Sequence, residues 1–205
     1  FEVVSPADLT CCGMAVFNAG DTRTARSMAQ QNIDALASYD HIVTACATCG
    51  TTLKQYAKWF KDNPGMRDRA HAVSAKVADL SQFLINAKYQ PHPRTGSAVK
   101  ITYHEPCHLK WHQGAGEFPR RLLQSLKGVE FVEMESADAC CGLGGGFGIK
   151  HRETSLAIQE KKMHAIQKSG AGIVATACPG CMIQLMDGIR RHDMPVEVVH
   201  VAQLL

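Results

Sequence analysis

The chain has 205 residues, 45% hydrophobic and 20% charged, with a formal net charge of +3. This is an ordinary globular composition, suited to one large or two small domains, and the mild charge supplies no basic stripe of the kind that binds nucleic acid. No apolar run approaches the ~20 residues of a membrane span, so membrane contact is expected only through partners.

The chain opens on Phe1-Glu2-Val3-Val4, a strand-like start without an initiating Met, which reads as a piece of a longer protein. Ser5 to Asp8 then lead to Cys11-Cys12-Gly13. Asp21 to Tyr39 reads as a helix, with Asp21 or Thr22 as its cap and Ala25, Met28, Ala29, Ile33 and Leu36 on one face. Ile42-Val43-Thr44 is a short apolar run, as in a buried parallel strand, and it ends at Cys46-Ala47-Thr48-Cys49. A helix over Leu53 to Phe60 is expected just after that CxxC. Tyr89 to Ser97, rich in Pro, Gly and polar residues, reads as a linker.

Beyond it, Lys100 to His104 forms a strand ahead of Cys107. Phe131 to Asp138 leads to Cys140-Cys141-Gly142. Glu153 to Lys168 is a helix with Leu156, Ala157, Met163 and Ile166 inward and Ser169-Gly170 as its stop. Ile173 to Ala175 is a second buried strand, ending at Cys178-Pro179-Gly180-Cys181, with a helix expected over Met182 to Arg191.

These segments form two copies of one unit. Phe1 to Gly13 parallels Phe131 to Gly142, Ile42 to Cys46 parallels Ile173 to Cys178, and Val77 to Leu84 parallels Val198 to Leu205. The Cys pair and the CxxC are separated by 33 residues in the first copy and 36 in the second. The expected fold is α/β: two repeated parallel-sheet α/β units related by pseudo-two-fold symmetry, over residues 1–90 and 98–205. The first unit is N-terminally truncated, its own opening cysteine expected about 30 residues before Phe1. Strand, loop and helix in that order put the functional residues at the carboxyl ends of strands, where the cysteines fall.

All nine cysteines belong to this pattern. Thiols so placed hold a metal or do redox chemistry. A CxxC at a helix start turns both sulfurs to one point, and the helix N-terminus favours their anionic form. Adjacent cysteines on an extended strand point to opposite sides, so the backbone must turn there, which Gly13 and Gly142 permit. Leu143 to Gly148 carries little side-chain bulk and lets backbone approach a cofactor. Cys107, Cys140, Cys141, Cys178 and Cys181 number one more than tetrahedral zinc takes and suit an iron–sulfur centre. Cys11, Cys12, Cys46 and Cys49 can serve an incomplete second iron–sulfur site or zinc. Buried inert thiols and a redox CxxC are the competing readings.

Around Cys107 stand His104, Glu105, His108 and His112, read as hydrogen-bonding neighbours or solvated surface before ligands or proton carriers. Lys150, His151 and Arg152 suit either an anionic cluster or an exposed loop. Trp59, Trp111 and Phe147 are expected to pack. No Ser/His/Asp arrangement, phosphate loop or nucleotide fingerprint is present.

The order Cys, Cys-Cys-Gly, Cys-x-x-Cys resembles the CCG, or cysteine-rich, domain family, which includes subunits of heterodisulfide reductase. The text of Tyr103 to Leu109, Pro119 to Leu123, Gly128 to Met134 and Ala177 to Leu185 resembles the iron–sulfur subunits of glycolate and lactate oxidases within it. The resemblance implies [4Fe-4S] clusters, of a noncubane kind where five cysteines act together. It assigns Cys107, Cys140, Cys141, Cys178 and Cys181 to one cluster, and Cys11, Cys12, Cys46 and Cys49 to a second site. It further implies electron transfer, with FAD in a flavoprotein dehydrogenase partner, a ferredoxin-like segment or subunit, and a quinone or another acceptor. A heterodisulfide-reductase-type catalytic subunit and a non-catalytic zinc module are the alternatives. The implied location is cytoplasmic, at the inner face of the cell membrane.

Overall fold

Short apolar runs alternate with amphipathic segments, and the chain folds accordingly as α/β in a computed structural model that describes residues 1–91 and 98–205. Positions 92–97 of the expected linker lie outside the described residues. Two compact units result, one of residues 1–44 and 48–78, the other of residues 45–47 and 79–205.

The first unit begins with residues 1–4 exposed and in no strand. The strand-like composition there is not realised, because no ladder partner lies beside it among the described residues. The short helix α1 (Met14–Asn18) follows the Cys pair. Helix α2 (Thr22–Leu36) is capped by Asp21, whose carboxylate accepts the Thr24 N–H at 3.0 Å. It buries Ala25, Ala29, Ile33 and Leu36, as the periodicity requires, and also Asn32. Strand β1 (Ile42–Thr44) pairs with β2 (Val77–Asp79) in a two-stranded sheet. Only Ile42 of β1 is buried, so its apolar run does not mark a strand covered on both faces. Helix α3 (Ala47–Gln55) starts inside the CxxC, earlier than expected, and tightens into a 3₁₀ turn over Tyr56–Phe60. Helix α4 (Pro64–Ser74) is capped by Asn63 with Pro64 in its first turn. The core gathers Ile33, Ile42, Leu53, Tyr56, Trp59, Met66, Val73 and Val77. Trp59 stacks flat on Phe17 with ring centroids 4.5 Å apart, the packing role expected for it.

The second unit takes in α5 (Leu80–Asn86), capped by the Asp79 side chain. Its four-stranded sheet is built from β3 (Val99–His104), β4 (Val129–Phe131), β5 (Ile173–Thr176) and β6 (Glu197–His200). The order is β4-β3-β5-β6 and every pairing is parallel. All of β5 is buried, as its apolar run predicts for a central parallel strand. A π turn (His108–His112) and α6 (Glu117–Gln124) follow β3. Helices α7 (Gly146–Lys150) and α8 (Arg152–Ser169) follow β4, and α9 (Pro179–Arg191) follows β5. The glycine loop is therefore partly helical, its last residues forming α7. Gly170, at φ 66°, stops α8 as predicted. Ile101, Tyr103, Leu122, Ile166, Val174 and Leu185 lie at the centre of this core.

The inward face of α8 differs from the apolar periodicity. Met163 and Ile166 point in, but Ala157 is exposed, Leu156 is only half-buried, and Ser155, Gln159 and Lys162 take the remaining inward positions. These polar side chains face buried loop backbone that an apolar face could not satisfy. The burial pattern of residues 151–166 matches that of residues 21–36 position for position, so the two helices are structural copies. Strand ends repeat the same device: Asp79 accepts the Ser81 N–H and His200 accepts the Ala202 N–H.

Glu105, buried just past β3, is held by Arg120 of α6 at 3.0 Å, and Arg120 also binds Glu133 through 2.9 and 2.8 Å contacts. A Cβ on Gly116 would lie 1.6 Å from a Glu105 carboxylate oxygen, so glycine is required for Glu105 to lie there. Because the carboxylate is inaccessible to water, Arg120→Met leaves it uncompensated. The variant is expected to lose about 3 kcal/mol of stability in chemical denaturation. A loss no larger than that of an exposed pair, about 0.5 kcal/mol, would mean that Glu105 finds another partner.

Candidate metal centre

The sheet and helix starts of the second unit bring the predicted cysteines together. Cys107 stands at the start of the π turn after β3. Cys140 and Cys141 lie in the loop between β4 and α7. Cys178 caps α9 with extended backbone, φ −147° and ψ 117°, and Pro179 opens the helix so that Cys181 falls in its first turn. The helix thus begins within the CxxC, and its N-terminal dipole bears on both sulfurs. All three segments lie at carboxyl ends of parallel strands, as expected for an α/β sheet.

The five thiols form a chain of contacts. Cys107 hydrogen-bonds Cys140, Cys140 bonds Cys141, Cys141 bonds Cys181, and Cys181 bonds Cys178. The Cys140 thiol ionises readily: the S–H of Cys107, then that of Cys141, hold it down to about 2. The neighbours move the other way. Cys107, Cys141 and Cys181 are pushed up, chiefly because each interacts with a sulfur that ionises more readily. Cys141, Cys178 and Cys181 are buried while Cys140 reaches solvent. Five soft sulfur donors linked in one run of contacts, from exposed Cys140 to buried Cys141, Cys178 and Cys181, suit a thiolate-bound metal centre and number more than a lone tetrahedral ion needs.

Sequence reasoning missed the cage around this loop. Gly142 sits at φ +100°, the turn that the adjacent cysteines require, and its N–H donates to Cys140 Sγ at 3.3 Å. Ser155 donates its hydroxyl to the Gly142 carbonyl at 2.8 Å and accepts from Gln184 at 3.3 Å. Gln159 donates to the Gln184 carbonyl and to Asp187 at 2.8 and 3.0 Å. Lys162 donates to the carbonyls of Ser136 and Ala137 at 2.6 and 3.2 Å, and burial pulls its ammonium down to about 8. The available signal was a run of polar residues at helical spacing, Ser155, Gln159 and Lys162, where an apolar stripe would otherwise lie.

In the first unit Cys12 hydrogen-bonds Cys49 and Cys11, and the Cys49 contact leads in lowering its thiol to about 6. Cys46 lies in segment 45–47 of the second unit, packed against that unit's core. Asn32 occupies the position on α2 that Lys162 occupies on α8. It accepts the Thr10 N–H at 2.9 Å and donates to the Cys11 carbonyl and the Tyr56 hydroxyl at 3.1 and 2.9 Å; Tyr56 in turn donates to the Cys12 carbonyl at 3.0 Å. Asn32→Leu strands these groups, so a loss of about 2 kcal/mol is expected, read by hydrogen exchange at the Thr10 amide. Unchanged protection there would remove Asn32 from the support of the loop.

Of the residues named around Cys107, His104 is buried to 1% exposure within the thiol group, and burial keeps its ring neutral, its pKa lowered to about 3. One of its ring nitrogens and the sulfurs of Cys141 and Cys181 lie within 4.8 Å of one another. His108 is half-buried with its ring 5.3 Å from that of His112. Lys150, His151 and Arg152 are exposed. Trp111 and Phe147 do not pack in the core: Trp111 is 69% exposed with Lys110 over its ring, and Phe147 leans on His151. Both stand on short turns whose outer sides face water. No helix among the described residues is long and apolar enough to cross a membrane.

The sequence model of the cysteine-rich domain family, CCG, matches residues 1–54 and 101–186. A probable glycolate oxidase iron-sulfur subunit of Bacillus subtilis is 36% identical over the whole chain, which spans 47% of that relative. Lactate utilization protein A of Lysinibacillus sphaericus is 30% identical, again over the whole chain and over 90% of its own length. A fumarate reductase (CoM/CoB) subunit of Methanothermobacter marburgensis is 35% identical over the whole chain, which spans 40% of it. With the family's Cys-Cys-Gly turn present in both matched segments and its thiols converging in the second, the chain belongs to the cysteine-rich domain (CCG) family.

Proposed function

We propose that this chain is an iron–sulfur, electron-transferring part of a 2-hydroxyacid dehydrogenase complex of glycolate or lactate type. It receives electrons from a flavoprotein subunit, which holds the FAD, and passes them to a quinone or another acceptor, directly or through a ferredoxin-like segment or subunit. The observation that carries the reading is the unbroken run of contacts that links five thiols, in a chain similar throughout its length to a protein named as a glycolate oxidase iron-sulfur subunit. In it, Cys107, Cys140, Cys141, Cys178 and Cys181 hold a [4Fe-4S] cluster of noncubane type, and Cys11, Cys12 and Cys49 supply ligands to a second site, iron–sulfur or zinc.

When bound, the cluster stores single electrons. The chain's residues hold and shield it. Lys162 and the start of α9 offset negative charge. Buried Cys141, Cys178 and Cys181 keep water away, while Cys140 supplies a short path to the surface. The proposed location is the cytoplasm, at the inner face of the membrane where a quinone acceptor would be reached through partners.

Exposure of Cys140 favours a second reading, reduction of a disulfide at the same centre. One set of measurements separates the two. Anaerobically purified protein is expected to contain about four iron and four sulfide for each filled site. Its EPR signal should respond to a 2-hydroxy acid only when the flavoprotein subunit is added. A response to a disulfide without that subunit would favour the second reading, and zinc without sulfide would sink both.

A further inference from the structure

His104 ends β3, and the register places it beside Thr176 of β5, which stands beside His200 of β6. Residues in register along a parallel sheet project to the same face. His104, Thr176 and His200 therefore form a row at the carboxyl edge of the sheet, where the thiols gather. His104 and Thr176 each leave a buried side-chain atom without a hydrogen-bond partner among the described residues, and His104 leaves both of its ring nitrogens so, whereas His200 is held by backbone. This contrasts with Ser155, Gln159, Lys162 and Gln184, which are all engaged nearby.

A buried polar group without a partner costs about 1–3 kcal/mol, so the fold has reason to keep an imidazole there only if something accepts from it. The possible acceptors grouped with the ring are sulfurs, while the Lys162 ammonium also acts on it electrostatically. Cys141 and Cys181 lie within 4.8 Å of it, and Cys140 and Cys178 act on it electrostatically. A neutral thiol is a weak acceptor; a thiolate that holds a metal is a much stronger one. A neutral imidazole carries one N–H to give.

We propose, on the basis of the iron–sulfur reading above, that His104 is a positioning residue of the centre which donates a ring N–H to the ligand sulfur of Cys141 or Cys181. The bond stabilises the more negative, reduced state and so raises the reduction potential. His104 is not itself a ligand: five thiolates already fill the donor set, and the ring's function is to set where their electrons sit.

The test uses the full protein, purified anaerobically, with iron and sulfide assayed before any other measurement. His104→Leu is expected to keep its iron and sulfide but to titrate at a lower potential. His104→Gln or His104→Asn, which return an N–H near one or the other ring nitrogen, should recover part of the shift. Electron spin echo spectra of the reduced wild-type protein should show a weak nitrogen coupling that changes on ¹⁵N-histidine labelling and is absent from His104→Gln. A coupling strong enough for direct ligation, or loss of iron in His104→Gln and His104→Asn alike, would overturn the donor role. So would a potential unchanged in His104→Leu, or the absence of histidine coupling in a wild-type protein that contains iron and sulfide. Wild-type protein lacking sulfide would overturn the iron–sulfur reading and this inference with it.

Discussion

Cys181→Ser is expected to strip the second-unit centre, with at least a tenfold fall in iron and acid-labile sulfide at limiting iron. The reason lies in the contact chain. Cys181 meets both Cys141 and Cys178, so it joins the loop cysteines to the α9 cap. A serine hydroxyl is harder, far less acidic, and a poor ligand where thiolate is needed. Losing the centre also removes binding energy that gathers three loops, so amides of residues 138–146 should lose protection together. The same substitution at each of the other four positions tells a five-thiolate centre from a tetrahedral one. If all five matter, each single variant falls by a similar factor. If four ligands suffice, one variant retains the wild-type content, and exposed Cys140 is the first candidate. Wild-type iron and sulfide in Cys181→Ser would remove that residue from the site.

The cysteine pattern was legible because few residues can replace a soft, ionisable donor or a glycine at positive φ, and both recur at fixed order in each copy. The parallel sheet was legible from β3 and β5, whose apolar runs end at the motif. The helix after the second CxxC was expected too late, although Pro179 already signals a first helical position and Cys178 its cap. What could not be read was the support of the loop. Ser155, Gln159 and Lys162 look like a solvated helix face, since nothing in local periodicity says that buried carbonyls lie opposite. Asn32 is hidden in the same way on α2. His104 was visible as a residue but not as a buried, unpartnered ring, which depends on sheet register and on segments some 35 and 75 residues further along the chain.

The two turn glycines allow conformational strain and crowding to be separated. Gly13 and Gly142 both lie at positive φ, 84° and 100°. Either position charges a side chain about 1–2 kcal/mol for left-handed backbone. Their surroundings differ. A Cβ on Gly13 would meet Trp59 at 3.4 Å and the Ala25 carbonyl at 3.5 Å, which is ordinary contact or close to it. A Cβ on Gly142 would stand 2.5 Å from the Ser155 carbonyl oxygen, the equivalent position on the copied helix, and 3.3 Å from the Gln159 nitrogen. Neither obstacle is the loose end of a side chain; both are helix backbone. Overpacking adds about 1–3 kcal/mol. Gly142→Ala is therefore expected to lose about 4 kcal/mol and most of its bound iron, and Gly13→Ala about 1–2 kcal/mol with its second-unit iron intact. Hydrogen exchange along α2 and α8 reads the two losses separately, since each helix reports on its own unit. Equal losses would show that backbone conformation alone sets the cost. A loss below about 1 kcal/mol in Gly142→Ala would mean that the Cys-Cys-Gly turn can be rebuilt away from α8, and the close approach of loop to helix would no longer explain the glycine.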